Sequence, residues 1–172
     1  MRLEPPDRVR DLQRKLYRKA KAEPTFRFYL LYDKVARADL LSHAWALVRA
    51  KRGAPGVDGV TLAAIEADGV APFLAHLAEE LRTPADRPDP VRRVFIPKRS
   101  GGQRPPGIPT IRDRVVQTAA RLVLEPIFEA DFQPCSDGFR LQKSAHQAVE
   151  EVAHSLARGY TQVLDADLTA YF

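Results

Sequence analysis

Residues 84–110 cannot be helix, and that fixes what the rest of the chain must do. Pro84, Pro88 and Pro90 each lack the N–H that a helix turn needs, and Pro105 and Pro106 repeat the interruption further on. Residues 91–97 alternate and contain Val94, Phe95 and Ile96, which reads as a strand. Ser100, Gly101 and Gly102 form a turn, and residues 103–108 return as an irregular edge limited by their two prolines. The expectation is a β-hairpin set between helical segments, hence an α+β fold. Its tip is basic: residues 92–104 hold Arg92, Arg93, Lys98, Arg99 and Arg104 and no acid.

Helical spacing dominates elsewhere. Asp7 is placed to cap a helix over residues 7–22, with Val9, Leu12 and Leu16 on one side and basic residues over the rest, so the apolar stripe requires a partner surface. A second tract covers residues 28–35, and Asp39 is the expected cap of a helix over 40–52 whose apolar face includes Trp45 as a core residue. The breaker cluster 53–59 turns the chain, and Thr61 restarts helix through Ile65, Phe73, Leu74, Leu77 and Leu81. Residues 111–132 are the strongest helix, which Pro126 is expected to kink or divide. Ser144 caps a last helix to about Leu156, Gly159 stops it, and residues 160–168 alternate as a strand.

At 172 residues the chain can hold one core-bearing domain, or a domain and part of another. Lys and Arg outnumber Asp and Glu by 27 to 22, and eight of the bases fall in residues 1–22. Clustered positive charge of this kind suits a polyphosphate partner, because each neutralised phosphate releases condensed counterions. Cys135 is the only cysteine, which excludes an internal disulfide and a CxxC zinc pair, and the four histidines are too scattered for a local metal site. No apolar run approaches the roughly 20 residues that span a bilayer, and a cytoplasmic protein with no membrane partner is expected.

In the terminal strand, Asp165 and Asp167 share one face. Two adjacent carboxylates are costly to ionise without a cation between them, so a divalent-metal site is reasonable. By itself the Asp165-Ala166-Asp167 triplet also fits a metal-dependent DxD glycosyltransferase.

Context gives the triplet a sharper meaning. Residues 91–110, 113–117, 124–129, 136–140 and 144–148 resemble, in order and spacing, successive blocks of the group II intron reverse transcriptase/maturase family, and residues 31–34 and 53–61 resemble its N-terminal segment. The resemblance implies a right-hand RNA-directed DNA polymerase: an N-terminal helical extension (1–52), fingers (53–110), and fingers continuing into an incomplete palm (111–172). It implies that Asp167 is the first catalytic aspartate and that its carboxylate, with the carbonyl of Leu168, holds magnesium in the complete enzyme. It gives Lys98 and Arg104 the nucleotide triphosphate, with Arg92 as a third contact, and makes Phe172 the steric gate under the sugar. Arg93, Arg99, Arg114, Arg140 and Lys143 would meet nucleic acid. A helix cap and ion pairs explain Asp113, Arg114 and Gln117, which open the long helix, almost as well as template contact does.

The implied partners are an RNA template, intron RNA, a DNA primer and deoxynucleoside triphosphates. A second chain supplying the rest of the palm and the thumb is a further expectation, because the second, Tyr-x-Asp-Asp motif of the family is absent from these 172 residues. A truncated polymerase of this kind would not extend primers alone, and a non-catalytic RNA-binding remnant is the alternative. The sequence departs from the family pattern at Pro106, where Leu is common, at Asp137, where Tyr is common, and at Leu141, where Pro is common.

Overall fold

The computed structural model describes residues 3–83, 87–97, 99 and 101–166. Its elements run α1 (Asp7–Ala22), α2 (Tyr32–Val35), α3 (Ala38–Ala50), α4 (Leu62–Asp68), α5 (Val70–Glu80), β1 (Arg92–Arg93), β2 (Ile96–Pro97), β3 (Gln103–Arg104), β4 (Gly107–Ile108), α6 (Ile111–Glu129) and α7 (Ala145–Ala157). Helices with two small antiparallel sheets make an α+β fold. The chain divides into two compact units, Met1–Asp131 and Phe132–Phe172.

In the first unit α6 is the central post, packed against α1 on one side and α3 on another. The partner that the α1 stripe requires is therefore α6: Val9, Leu12 and Leu16 are buried in one cluster with Val115, Ala119, Leu122 and Val123. From α3, Leu40, Leu41, Ala44, Trp45 and Val48 enter the same cluster, and α5 closes it with Leu74, Leu77 and Ala78. Trp45 meets Phe73 with ring centroids 5.7 Å apart. Each fully buried leucine or isoleucine here stabilises the fold by about 1.5–3 kcal/mol.

Several boundaries differ from expectation for local reasons. Asp7 lies inside the first turn of α1, where a carboxylate favours the positive end of the helix, and Pro6 takes the cap position. Asp39 is likewise in the first turn of α3 and not its cap, because it is engaged by Arg37, whose Nε and Nη2 donate to its two oxygens at 3.0 and 2.6 Å. The tract 28–35 is helical only as α2. Thr61 does cap α4, its hydroxyl accepting the Ala64 N–H, but Gly69 at φ +104° separates α4 from α5.

Pro126 lies within α6 without ending it. A proline at 126 leaves the Leu122 carbonyl without its normal helical donor. Gln13 of α1 supplies one, its Nε2 donating to that carbonyl at 3.1 Å. Lys21 then donates to the carbonyl of Ala130 at the C-terminal end of α6, at 3.0 Å. One helix thus satisfies two gaps in its neighbour.

In the second unit, Ser144 and Gln147 form a reciprocal capping box at the start of α7, and Gly159 at φ +93° follows its end. None of the residues of α7 is buried, and Val149, Val152 and Leu156 are exposed along one side. The strand expected over 160–168 is not formed in its described part: residues 160–166 are exposed and in no regular element. A strand requires a ladder partner, and among the described residues none pairs with this segment.

Candidate nucleic-acid interface

The four short strands are one hairpin in a single register. Arg92 faces Ile108, Arg93 faces Gly107, Ile96 faces Arg104 and Pro97 faces Gln103, all antiparallel. The ladder is interrupted opposite Pro105 and Pro106, which have no N–H to give, although the Pro106 carbonyl accepts the Val94 N–H at 3.0 Å. Proline at 106 is therefore compatible with the hairpin while splitting its sheet in two.

Pleat alternation in this register puts Arg92 and Arg104 on the same face and Arg93 on the opposite one. All three, and Arg99 near the tip, are exposed. Among the described residues none of the four has a carboxylate partner. Their charge is thus available to an outside anion, and Val94 and Ile96 lie on the Arg92 face as partly exposed apolar surface. Lys98, the other tip cation, lies outside the described residues.

The root of the hairpin is built by the start of α6. Thr110 is fully buried and caps the helix, its Oγ1 accepting the Asp113 N–H at 3.2 Å. Arg114 donates through Nε and Nη2 to the Pro109 carbonyl at 3.1 and 2.8 Å, and through Nη2 also to the Ala54 carbonyl. A side chain at Gly53 would displace the Arg114 guanidinium, and Gly56 has no room for one beside the Thr110 backbone. The guanidinium of Arg114 therefore fastens the 53–59 turn to the hairpin's outgoing strand, and these donors are spent inside the protein.

Arg140 and Lys143 are also built into the protein. In the loop before α7, Arg140 Nη1 donates to the carbonyls of Gln133 and Ser136 at 2.7 and 2.6 Å, and its cation lies 5.2 Å from the centroid of the Phe132 ring. Lys143 Nζ donates to the Pro134 carbonyl at 2.8 Å and lies 2.9 Å from Asp137 Oδ1. Asp137 has thereby become the counter-ion of Lys143. Phe139 is fully exposed at φ +58°, and Leu141 is exposed as well.

Asp113 has a second role that the local sequence does not signal. Its buried carboxylate accepts the Asp89 N–H at 2.9 Å and Arg112 Nη1 at 3.0 Å. A Thr-x-x-Asp pattern before an apolar run signals a helix start, but nothing local points to residue 89. Asp167, Leu168 and Phe172, the sites expected for catalysis, metal and nucleotide, lie outside the described residues. Asp165 is exposed, and among the described residues no three His, Cys, Asp or Glu side chains converge as a metal site.

No family model matches the chain. It is 39% identical over 170 residues to Protein YkfC of Escherichia coli K12, a match covering 95% of this chain and 44% of that protein. To the group II intron-encoded protein LtrA of Lactococcus lactis it is 32% identical over 149 residues, covering 84% of this chain and 24% of that protein. To the putative COX1/OXI3 intron 1 protein of Saccharomyces cerevisiae it is 32% identical over 142 residues, covering 83% of this chain and 17% of that protein. The chain spans less than half the length of each of these relatives.

Proposed function

Because this chain belongs to the family of group II intron-encoded proteins, we propose that it performs the fingers role of an RNA-directed DNA polymerase and that residues 91–108 are its polyphosphate-binding surface. The carrying observation is the hairpin itself, which holds Arg92 and Arg104 on one exposed face with no carboxylate partner among the described residues. Guanidinium groups so placed can each offer a fork of donors to phosphate oxygens. In this reading Lys98 joins them as a point charge, and the three orient the triphosphate of an incoming deoxynucleotide or the backbone of an RNA strand. Arg93 and Arg99, on the other face and the tip, meet template backbone.

The palm chemistry belongs to the same proposal. The Asp167 carboxylate and the Leu168 carbonyl would hold magnesium, which supplies charge neutralisation for in-line nucleotidyl transfer when bound. Phe172 would exclude a ribose 2′-hydroxyl by its bulk. Arg114, Arg140 and Lys143 act here by fixing the loops that nucleic acid approaches, since their donors are engaged with backbone carbonyls.

Fluorescence-anisotropy titration of a structured RNA at several salt concentrations tests the hairpin. Affinity is expected to fall steeply with salt, and R92A/R104A is expected to reduce the log–log slope by up to about two, since each phosphate contact adds roughly one. An R8A/K15A/R18A variant, which removes three α1 cations with no carboxylate partner among the described residues, reports any separate N-terminal contribution. Folded protein that binds no RNA at low salt would overturn the proposal. Binding with a slope unchanged in R92A/R104A would remove the hairpin from it.

A further inference from the structure

We propose that Asp113 is a positioning residue: its buried carboxylate sets the root of the hairpin, and so the direction in which Arg92 and Arg104 are presented. The inference rests on the hairpin reading above and adds a residue that touches no phosphate itself.

Asp113 is 4% exposed and Thr110 beside it is fully buried. One carboxylate oxygen, Oδ2, takes the backbone N–H of Asp89 at 2.9 Å, across 24 residues of sequence. The other, Oδ1, takes Arg112 Nη1 at 3.0 Å, and Arg112 Nε is held in turn by Glu80 Oε2 of α5 at 3.0 Å. The backbone N–H of Asp113 is bound to the Thr110 hydroxyl. Asp89 lies just before β1 and Thr110 just after β4, so one side chain and its own amide hold both legs of the hairpin.

An acid in the first turn of a helix is favourable at any position there. A helix-stabilising role alone therefore does not call for a bond to residue 89. The hairpin has little else to fix its direction. It has two two-residue ladders, is broken at Pro105 and Pro106, and exposes most of its side chains. An isolated two-stranded ribbon of this length is marginal in water. Its orientation is set where its legs leave the core, and there the incoming leg is held by Asp113 and the outgoing leg by Thr110 and Arg114.

Two variants test this in the full chain. Asp113→Ala removes the acceptor. Asp89→Pro removes the donor N–H, at an exposed position between two existing prolines, and keeps the Asp113 side chain in place if Asp113→Ala does not fold; Asp89→Asn, which keeps the N–H, controls for the lost carboxylate charge. Hydrogen-exchange mass spectrometry should show the amides of residues 91–97 and 101–108 exchanging about tenfold faster in either variant, with α1 and α3 unchanged. In RNA titrations, R92A/R104A should lower the salt slope in the wild-type background and add little in the Asp89→Pro background, because misdirected cations have already lost their contacts. Hairpin exchange equal to wild type, a uniform rise across all helices, or additive effects on the slope would each overturn the inference. Wild-type protein that binds no RNA would refute the proposed function instead, and the exchange experiment would still decide whether Asp113 directs the hairpin.

Discussion

His43 lies on α3 with 7% of its surface exposed, and burial holds its pKa below the ordinary imidazole value. The neutral ring is therefore the form compatible with the fold. A group whose folded pKa is depressed gives its full stabilisation above its unfolded pKa, about 6.5 for histidine, and loses it as pH falls from there toward the folded value. Thermal stability is expected to decline as pH falls below about 6.5, and His43→Gln should flatten that decline in melts followed by circular dichroism. A variant profile as steep as wild type would put the sensitivity elsewhere. Asp39 acts in a separate, more acid window. Its hydrogen bonds from Arg37 hold its carboxyl below the usual carboxylate value, so its contribution is present above that value and disappears as pH falls through the folded pKa.

At the scale of elements, the repair of α6 at Pro126 gives the sharpest test. Gln13→Ala should cost about 1–3 kcal/mol in urea denaturation, because it leaves the Leu122 carbonyl without a donor. In a Pro126→Ala background residue 126 again supplies an N–H, so the same Gln13→Ala change should cost far less. Equal costs in both backgrounds would mean that the Gln13 bond is not compensating for the proline. Gly69→Ala should also destabilise, by about 1 kcal/mol or more, because φ +104° is strained for any residue with a Cβ. Helix starts at Thr61 and Ser144 were readable in the sequence because a hydroxyl and an amide three residues on are local chemistry. The hairpin and its acid-free cations were readable from prolines, glycines and alternation. The Gln13 bond that repairs α6 at Pro126, the anchoring of Arg114 to Ala54 and the bond from Asp113 to Asp89 were not, since each depends on a partner that only folding brings near. The break at Gly69 was missed because apolar spacing continues across it.

For the molecule as a whole, burial is very unequally shared. The first unit encloses Leu40, Leu41, Leu77, Leu81, Ile111, Val115 and Val123 almost completely, whereas α7 in the second buries nothing along its 13 residues. A helix of that length is marginal in water when no tertiary contact supports it, even with a good capping box. Amides of α7 are therefore expected to exchange with solvent much faster than those of α1, α3 and α6 in the same experiment. Val149, Val152 and Leu156 recur at helical spacing, and exposed Tyr160, Val163 and Leu164 follow them in sequence, so this unit offers apolar surface that water does not favour. Self-association that rises with concentration should follow, visible as a growing mean mass in sedimentation-velocity runs. Replacing Val149, Val152 and Leu156 together with Gln should return the protein to monomer while leaving the main thermal transition where it was, because the core that sets that transition lies in α1, α3, α5 and α6. Wild-type protein that stays monomeric at high concentration, with α7 amides as slow as those of α6, would show that this helix is supported in solution and would sink the prediction.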